Sequence, residues 1–135
     1  MSPKVSIYVL AHNYGRYILQ CLQSIQAQIF EDWELVIIDD GSCDDSWQII
    51  TKFASQSSKV VKIHRNEKAK GLKSASNTAL LMCAGEYIMR VDADDWLLDN
   101  CLLSLVQKLG GASDENICYG GYFYVDAEGS VIGHE

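Results

Sequence analysis

Acidic side chains follow two apolar runs of the sequence, at the point where each run ends. Asp39 and Asp40 come directly after one run, and Asp92, Asp94 and Asp95 follow another. Five carboxylates at one site repel one another unless a cation or hydrogen-bond donors offset their charge. Mg²⁺ and Mn²⁺ suit such oxygen ligands, because they bind through one or two carboxylates together with substrate phosphates. The pattern predicts a divalent-metal site that could stabilise a diphosphate leaving group.

Apolar runs alternate with helical patterns along the chain, and this alternation must position the acidic residues. Short runs rich in β-branched residues predict strands at residues 5–10, 35–38, 60–63, 86–91 and 117–125. Apolar residues at a spacing near 3.6 predict helices over 14–29, 44–57, 74–83 and 99–109. Asn13 is the expected N-cap of the first helix, and Gly85 is the expected end of the third.

This alternation predicts an α/β fold, in which helices flank a mostly parallel sheet. Ligands of such folds bind beyond the carboxyl ends of the strands. We therefore expect both acidic clusters at one edge, on strands that could be neighbours. Residues 119–124, which belong to the last of the apolar runs, and residues 130–133 predict two strands around a turn at 126–129. Because the sequence ends at this hairpin, we expect one domain over residues 1–135 that is incomplete at its C-terminus.

Composition excludes several classes of protein. The 135 residues are 48% hydrophobic and carry a net charge of −7, which argues against a nucleic-acid-binding surface. No apolar stretch is long enough for a transmembrane segment, and the first residues do not resemble a secretory signal. The five cysteines are widely spaced and lack a C-x-x-C pair, so neither zinc nor a disulfide framework is indicated. We expect a cytoplasmic protein.

Glycine patterns give no support to the usual phosphate-binding loops. The sequence contains neither G-x-G-x-x-G nor G-x-x-x-x-G-K-S/T, so a bound metal would have to do most of the phosphate binding. A simpler interpretation of Asp39, Asp40 and Asp44 is that they turn the chain and cap a helix. Capping does not explain the three carboxylates at 92–95, which favours the metal site.

Five motifs along the chain resemble glycosyltransferase family 2, whose members have the Rossmann-like GT-A fold. They are PKVSI at 3–7 with AHN at 11–13, CLQSI at 21–25 with Gln28, ELVIIDDGS at 34–42, GLKSASN at 71–77 with AGEYI at 84–88, and DADDW at 92–96. The last contains a D-x-D motif. The chain departs from the family at Ser76, where an arginine is usual, and at His12.

The resemblance implies a nucleotide-diphospho-sugar site. The segment that would pass along the base and ribose consists of Leu10, Ala11, His12 and Asn13. Asp40 would accept a hydrogen bond from the base, with Asp39 beside it. Lys73 is a candidate contact to the phosphates or the base.

The same resemblance implies a metal site at the D-x-D motif. Asp92 and Ala93 would lie near the ribose and the metal, and Asp92 and Asp94 would ligate Mn²⁺ or Mg²⁺ at the diphosphate. The family's inverting members also use an acidic general base, which we expect beyond Glu135. Asp126 and Glu128 are expected to be turn residues instead.

The function implied is an inverting, metal-assisted glycosyltransferase in polysaccharide synthesis. It would move a sugar from a nucleotide-diphosphate donor, a UDP-sugar first of all, to a hydroxyl of a glycan or lipid-linked acceptor. The full-length enzyme could associate peripherally with the inner face of a membrane. Two alternatives remain: a nucleotidyltransferase of similar fold, and a non-catalytic α/β module that binds a metal or a partner.

Overall fold

Four parallel strands form the central sheet of the computed structural model, which describes residues 1–110 and 117–135. They are β1 (Val5–Ala11), β2 (Trp33–Asp40), β3 (Val61–Asn66) and β4 (Tyr87–Asp92), in the order β3-β2-β1-β4. The two central strands are the most apolar, because both of their faces are covered. Every residue of β2 is buried. The predicted parallel α/β sheet is confirmed.

Helices cover both faces of this sheet. They are α1 (Ile18–Gln26), α2 (Ser46–Gln56), α3 (Leu72–Met82) and α4 (Cys101–Leu109). Helices α1, α2 and α4 pack on the face that carries Ile7 and Ile37, whereas α3 packs on the face that carries Tyr8 and Val36. Successive strand residues point to opposite faces, so each strand supplies both cores. None of the described helices is long and apolar enough to cross a membrane.

The ends of two helices differ from the predictions. Helix α1 begins at Ile18, and its N-cap position is Tyr17 rather than Asn13. Asn13 instead has a φ of 59°, a left-handed conformation that asparagine tolerates in turns. Gly85 does not end α3, which stops at Met82 with Cys83 already extended. A Cβ on Gly85 would lie 2.5 Å from the backbone N of Ser6, so this glycine permits close packing against β1.

The predicted fifth strand is also shorter than expected and lies outside the main sheet. Strand β5 (Phe123–Val125) pairs antiparallel with β6 (Val131–His134) in a separate two-stranded sheet. Gly120 and Gly121 interrupt the apolar run before it, and glycine weakens a strand. The predicted turn is confirmed, because Oδ1 of Asp126 accepts the backbone N–H groups of Glu128 and Ser130 at 3.1 and 2.8 Å.

Candidate functional site

A cleft of about 580 Å³ opens at the carboxyl edge of the sheet, beside the start of α3. Seven of the ten residues predicted for the site line it: Leu10, Ala11, His12, Asp40, Asp92, Ala93 and Asp94. The cleft is also lined by residues that the sequence analysis did not select, which are Tyr14, Ala69, Gly71, Leu72, Ala75 and Arg90. The two acidic clusters are not on neighbouring strands, because β1 lies between β2 and β4.

Asp40 is buried at the end of β2 and is held by three hydrogen bonds. Its Oδ1 accepts the side-chain amide of Asn66 at 2.8 Å and the backbone N–H of Lys70 at 2.9 Å, and its Oδ2 accepts the backbone N–H of Gly71 at 2.9 Å. Burial on its own raises the pKa of this carboxyl, but these donors, with a smaller contribution from His12, hold the pKa below its usual value. Asp40 is therefore a fixed anion in the cleft wall.

The loop after β1 is fastened to the loop after β2. Nδ1 of His12 donates to the backbone carbonyl of Asp40 at 2.7 Å. The backbone N–H of Asn13 donates to Oγ of Ser42 at 2.9 Å, and Oδ1 of Asn13 accepts the backbone N–H of Cys43 at 2.7 Å. Asn13 thus supports the cleft wall from behind and is not among the residues that line it.

Asp39 lies on the opposite face of β2 from Asp40 and does not line the cleft. Its side chain is fully buried, and Nε of Arg65 lies 3.1 Å from its Oδ2. Arg65 also donates to the backbone carbonyl of Ser42 at 3.1 Å and lies over the ring of Trp47. Arg65 thus connects the buried Asp39 carboxylate to the β2–α2 loop. The expectation that it sits beside Asp40 holds for the backbone and not for the carboxylate.

Asp92 and Asp94 line the cleft on the side of β4. Arg90 contacts Asp92 through two nitrogens: Nε lies 2.8 Å and Nη2 lies 2.7 Å from Oδ1. The pKa of the neighbouring Asp95 is raised by burial and then by the negative charges of Asp94 and Asp92. This segment therefore carries negative charge that its own side chains do not fully offset.

The donor set fits a magnesium or manganese ion that takes its other ligands from a substrate. Asp92 and Asp94 are available for an ion, whereas Asp40 is already hydrogen-bonded, and Mg²⁺ typically uses one or two carboxylates together with phosphate oxygens and water. Among the described residues, no group of three His, Cys, Asp or Glu side chains is arranged to enclose an ion. The described residues therefore do not supply a complete set of protein ligands for an ion.

Lys73 is exposed on the first turn of α3 and is not among the residues that line the cleft. Arg90 does line the cleft and is the better candidate for a contact to the phosphates. It was not predicted from the sequence. The signal was present in the sequence, because Arg90 precedes Asp92 by two residues in a predicted strand. Residues two apart in a strand share a face.

Comparison with known proteins identifies the family. The family model described as "Glycosyl transferase family 2" matches residues 6–134. The chain belongs to glycosyl transferase family 2. The match includes every residue of the cleft, and it confirms the resemblance of the five motifs.

Relatives and solved structures agree with this assignment. Glycosyltransferase GlyG of Streptococcus pneumoniae serotype 4 is 32% identical over 126 residues, which are 93% of this chain and 41% of GlyG. The crystal structure of S. aureus TarS 1-349 in complex with UDP-GlcNAc has a TM-score of 0.73 and 29% identity, covering 80% of this chain and 31% of TarS 1-349.

A third similar protein is mannosyltransferase PcManGT from Pyrobaculum calidifontis, solved in complex with GDP-Man and Mn²⁺. Its TM-score is 0.74 at 26% identity, over 81% of this chain and 33% of PcManGT. The GT-A fold of this chain is thereby confirmed. The chain spans less than half the length of each of these three proteins.

Proposed function

We propose that residues 1–135 are one nucleotide-sugar-binding domain of an inverting, metal-assisted glycosyltransferase. The observation that carries this proposal is the cleft beside α3, in which Asp40 faces Asp92 and Asp94 across the end of β1. Its volume of about 580 Å³ is within the usual range for a small-molecule site. Family membership favours glycosyl transfer over the nucleotidyltransferase and the non-catalytic module.

The hydrogen-bonding capacity of Asp40 favours a donor base with a single ring N–H, such as uracil. A carboxylate has about four acceptor positions, and the protein's own donors use three of them on Asp40. One position on Oδ2 is left for the base. Uracil presents a single ring N–H, whereas guanine presents two adjacent N–H donors, so a UDP-sugar matches the remaining capacity better than a GDP-sugar does.

The residues around the cleft divide the other tasks. Leu10, Ala11 and His12 would contact the base and ribose, and Asp92 with Ala93 would lie near the ribose and the diphosphate. Asp94 and Asp92 would hold Mn²⁺ or Mg²⁺, which supplies charge neutralisation for the diphosphate leaving group. Lys73, at the start of α3, does not line the cleft, so it would contact the phosphates from outside it.

The acceptor would be a hydroxyl of a glycan or a lipid-linked glycan. Its oxygen would attack the anomeric carbon of the donor sugar from the face opposite the diphosphate, as the bond from that carbon to the diphosphate breaks. A general base must then take the hydroxyl proton. Asp126 has a structural role instead, because its Oδ1 accepts two backbone N–H groups and so holds the hairpin turn. We assign no base among the described residues. We also propose a cytoplasmic enzyme that works at the inner face of a membrane, where lipid-linked acceptors are found.

Ligand-induced thermal stabilisation tests this proposal. UDP, dTDP and GDP are each added with Mn²⁺ or with chelator to this chain, to Asp94→Asn and to the matched control Asp32→Asn. Asp32 is an exposed carboxylate at the other end of the sheet. We expect UDP with Mn²⁺ to stabilise the chain and the control by about 2.7 kcal/mol at 100 times the dissociation constant.

The outcomes of this experiment are distinct. Asp94→Asn should lose the Mn²⁺-dependent part of the stabilisation, and GDP should stabilise less than UDP. Stabilisation by Mn²⁺ alone, with no further effect of any nucleotide, would contradict a donor site. Stabilisation by GDP in preference to UDP would contradict the assignment of the base to Asp40 while leaving a donor site in place.

A further inference from the structure

Arg90 stands at the wall of the cleft and is held there by Asp92. Both residues are on β4 and share a face of the sheet, because they are two apart. Backbone pairing of Tyr8 with Arg90 fixes the strand at this level. Arg90 is thus anchored by the sheet, while its guanidinium is oriented by the Asp92 carboxylate.

The guanidinium has hydrogen-bonding capacity to spare. Arginine carries five N–H donors, and only Nε and Nη2 contact the carboxylate, both at the single oxygen Oδ1 of Asp92. The arginine side chain remains 41% exposed. Three N–H groups therefore remain available to a ligand while the contact with Asp92 is kept.

The charge balance of the cleft gives these spare donors a use. Three carboxylates line it, on Asp40, Asp92 and Asp94, and a diphosphate brings further negative charge. Within residues 1–110 and 117–135, Arg90 is the one Lys or Arg side chain in the lining. A planar guanidinium also matches two oxygens of a phosphate, which makes it a better phosphate ligand than a lysine.

An ion pair on a half-exposed strand adds little to stability, so the fold itself gives no strong reason for Arg90. We propose that Arg90 binds the diphosphate of the donor and that Asp92 is its positioning residue. This inference rests on the proposed function and adds to it a phosphate contact from β4. That contact compensates in part for the absence of an arginine at Ser76.

The test compares two ligands that differ only in the diphosphate. Dissociation constants of UDP and of uridine are measured by calorimetry or ligand-observed NMR, in Mn²⁺ and in chelator. The proteins are the unchanged chain, Arg90→Met, Arg90→Lys and Lys4→Met. Lys4 controls for the loss of one positive charge, because it pairs with Glu86 at the far edge of the sheet.

We expect Arg90→Met to weaken UDP binding about tenfold in either buffer, the loss typical of one charged hydrogen bond, and to leave uridine binding unchanged. The UDP affinity of Arg90→Lys should lie between those of Arg90→Met and the unchanged chain. The UDP affinity of Lys4→Met should equal that of the unchanged chain. Equal weakening of UDP and uridine would show that Arg90 acts through the structure. Unchanged UDP binding by Arg90→Met would overturn the proposal, because the Arg90–Asp92 pair would then be a surface contact only.

A charge-restored variant separates direct contact from simple neutralisation. Arg90→Met combined with Asp92→Asn should bind UDP more weakly than Asp92→Asn alone in chelator. Equal binding by these two variants would overturn the inference, since Arg90 would then act only by cancelling the charge of Asp92. If the unchanged chain binds no UDP with Mn²⁺, the proposed function fails first, and the inference fails with it.

Discussion

Oδ2 of Asp40 accepts the backbone N–H of Gly71 across 2.9 Å, and this hydrogen bond joins the end of β2 to the start of α3. The neighbouring bond from Lys70 N–H to Oδ1 closes the same loop. The chain between β3 and α3 is therefore folded around a buried carboxylate. One side chain shapes the loop beside the cleft and presents an acceptor to the cleft itself.

Replacement of this carboxylate should destabilise the protein measurably. We expect Asp40→Asn to lower the free energy of unfolding by about 2 kcal/mol at pH 7, because the amide opposes one backbone donor with an N–H group of its own. Urea unfolding measures the loss. Asp32→Asn, which changes an exposed carboxylate, should unfold like the unchanged chain.

The same variant has a pH signature. The pKa of Asp40 is lower in the folded state than in the unfolded chain. The contribution of ionised Asp40 to the free energy of unfolding is thus complete above the pKa of the unfolded chain, at about 3.9. It is lost as the pH falls through the pKa of the folded state. The stability gap between the chain and Asp40→Asn should be constant from pH 7 to about 5 and should narrow below that. A gap that widens in acid would contradict this account.

Two glycines with positive φ beside the cleft should respond differently to alanine. Gly41 has a φ of 70°, and a Cβ there would lie 2.5 Å from the backbone N of Ala69. Gly71 has a φ of 88°, but a Cβ there would meet no atom within 4 Å. With a ψ of 164°, Gly71 lies in a backbone region used almost only by glycine, so we expect Gly71→Ala to cost about 1–3 kcal/mol of strain. Gly41→Ala should cost more, because overpacking of about 1–3 kcal/mol is added to its own strain. Thermal unfolding distinguishes them, and equal losses would contradict the close approach at Gly41.

The sequence was sufficient for the main sheet and its helices because their apolar periods are clear. It also identified most of the cleft, since residues after parallel strands meet at one edge. The same alternation could have shown that Asp39 and Asp40 point to opposite faces, and that Arg90 shares a face with Asp92. Both relationships follow from the alternation of side chains along a strand, so the sequence already contains them.

Other features are fixed by contacts distant in sequence. The position of β1 between β2 and β4 depends on how the crossovers pack, which no local pattern states. The hydrogen bond from Lys70 N–H to the Asp40 carboxylate joins residues 30 positions apart. The hairpin β5–β6 was predicted, but its separation from the main sheet was not, because an apolar run indicates a strand without indicating its partner.

A buried acidic network at the other end of the sheet should matter for stability alone. Glu34 accepts Oγ of Ser6 at 2.6 Å and the backbone N–H of Ala84 at 2.7 Å, and Nζ of Lys62 lies 2.7 Å from its Oε2. Burial acts to raise the pKa of Glu34, but Lys62, Ser6 and Ala84 together lower it. This carboxylate links β1, β2 and β3 to the turn before β4.

We expect Glu34→Gln to lower the free energy of unfolding by about 2 kcal/mol, since one charged partner is lost while the shape is kept. UDP affinity per folded molecule should not change, because the cleft lies at the opposite edge. Glu86→Gln is the matched control, because its pair with Lys4 is exposed at the same edge, and it should have little effect. Urea unfolding and a UDP titration check both parts. A loss of UDP affinity in Glu34→Gln would show that the two edges are coupled.

Cysteine reactivity should report the packing beneath the acidic segment. Cys21 is fully buried on α1, where burial, and then the charges of Asp95, Asp94 and Asp92, raise the pKa of its thiol to about 12. Cys43 is exposed in the loop after β2. Since the thiolate is the reactive form, iodoacetamide at pH 8 should alkylate Cys43 in the folded protein and leave Cys21 unmodified. Peptide mass spectrometry over time measures both sites. In urea the two rates should converge, because unfolding removes the burial and the nearby carboxylates. Equal rates in the folded protein would mean that α1 does not pack its Cys21 face against the core.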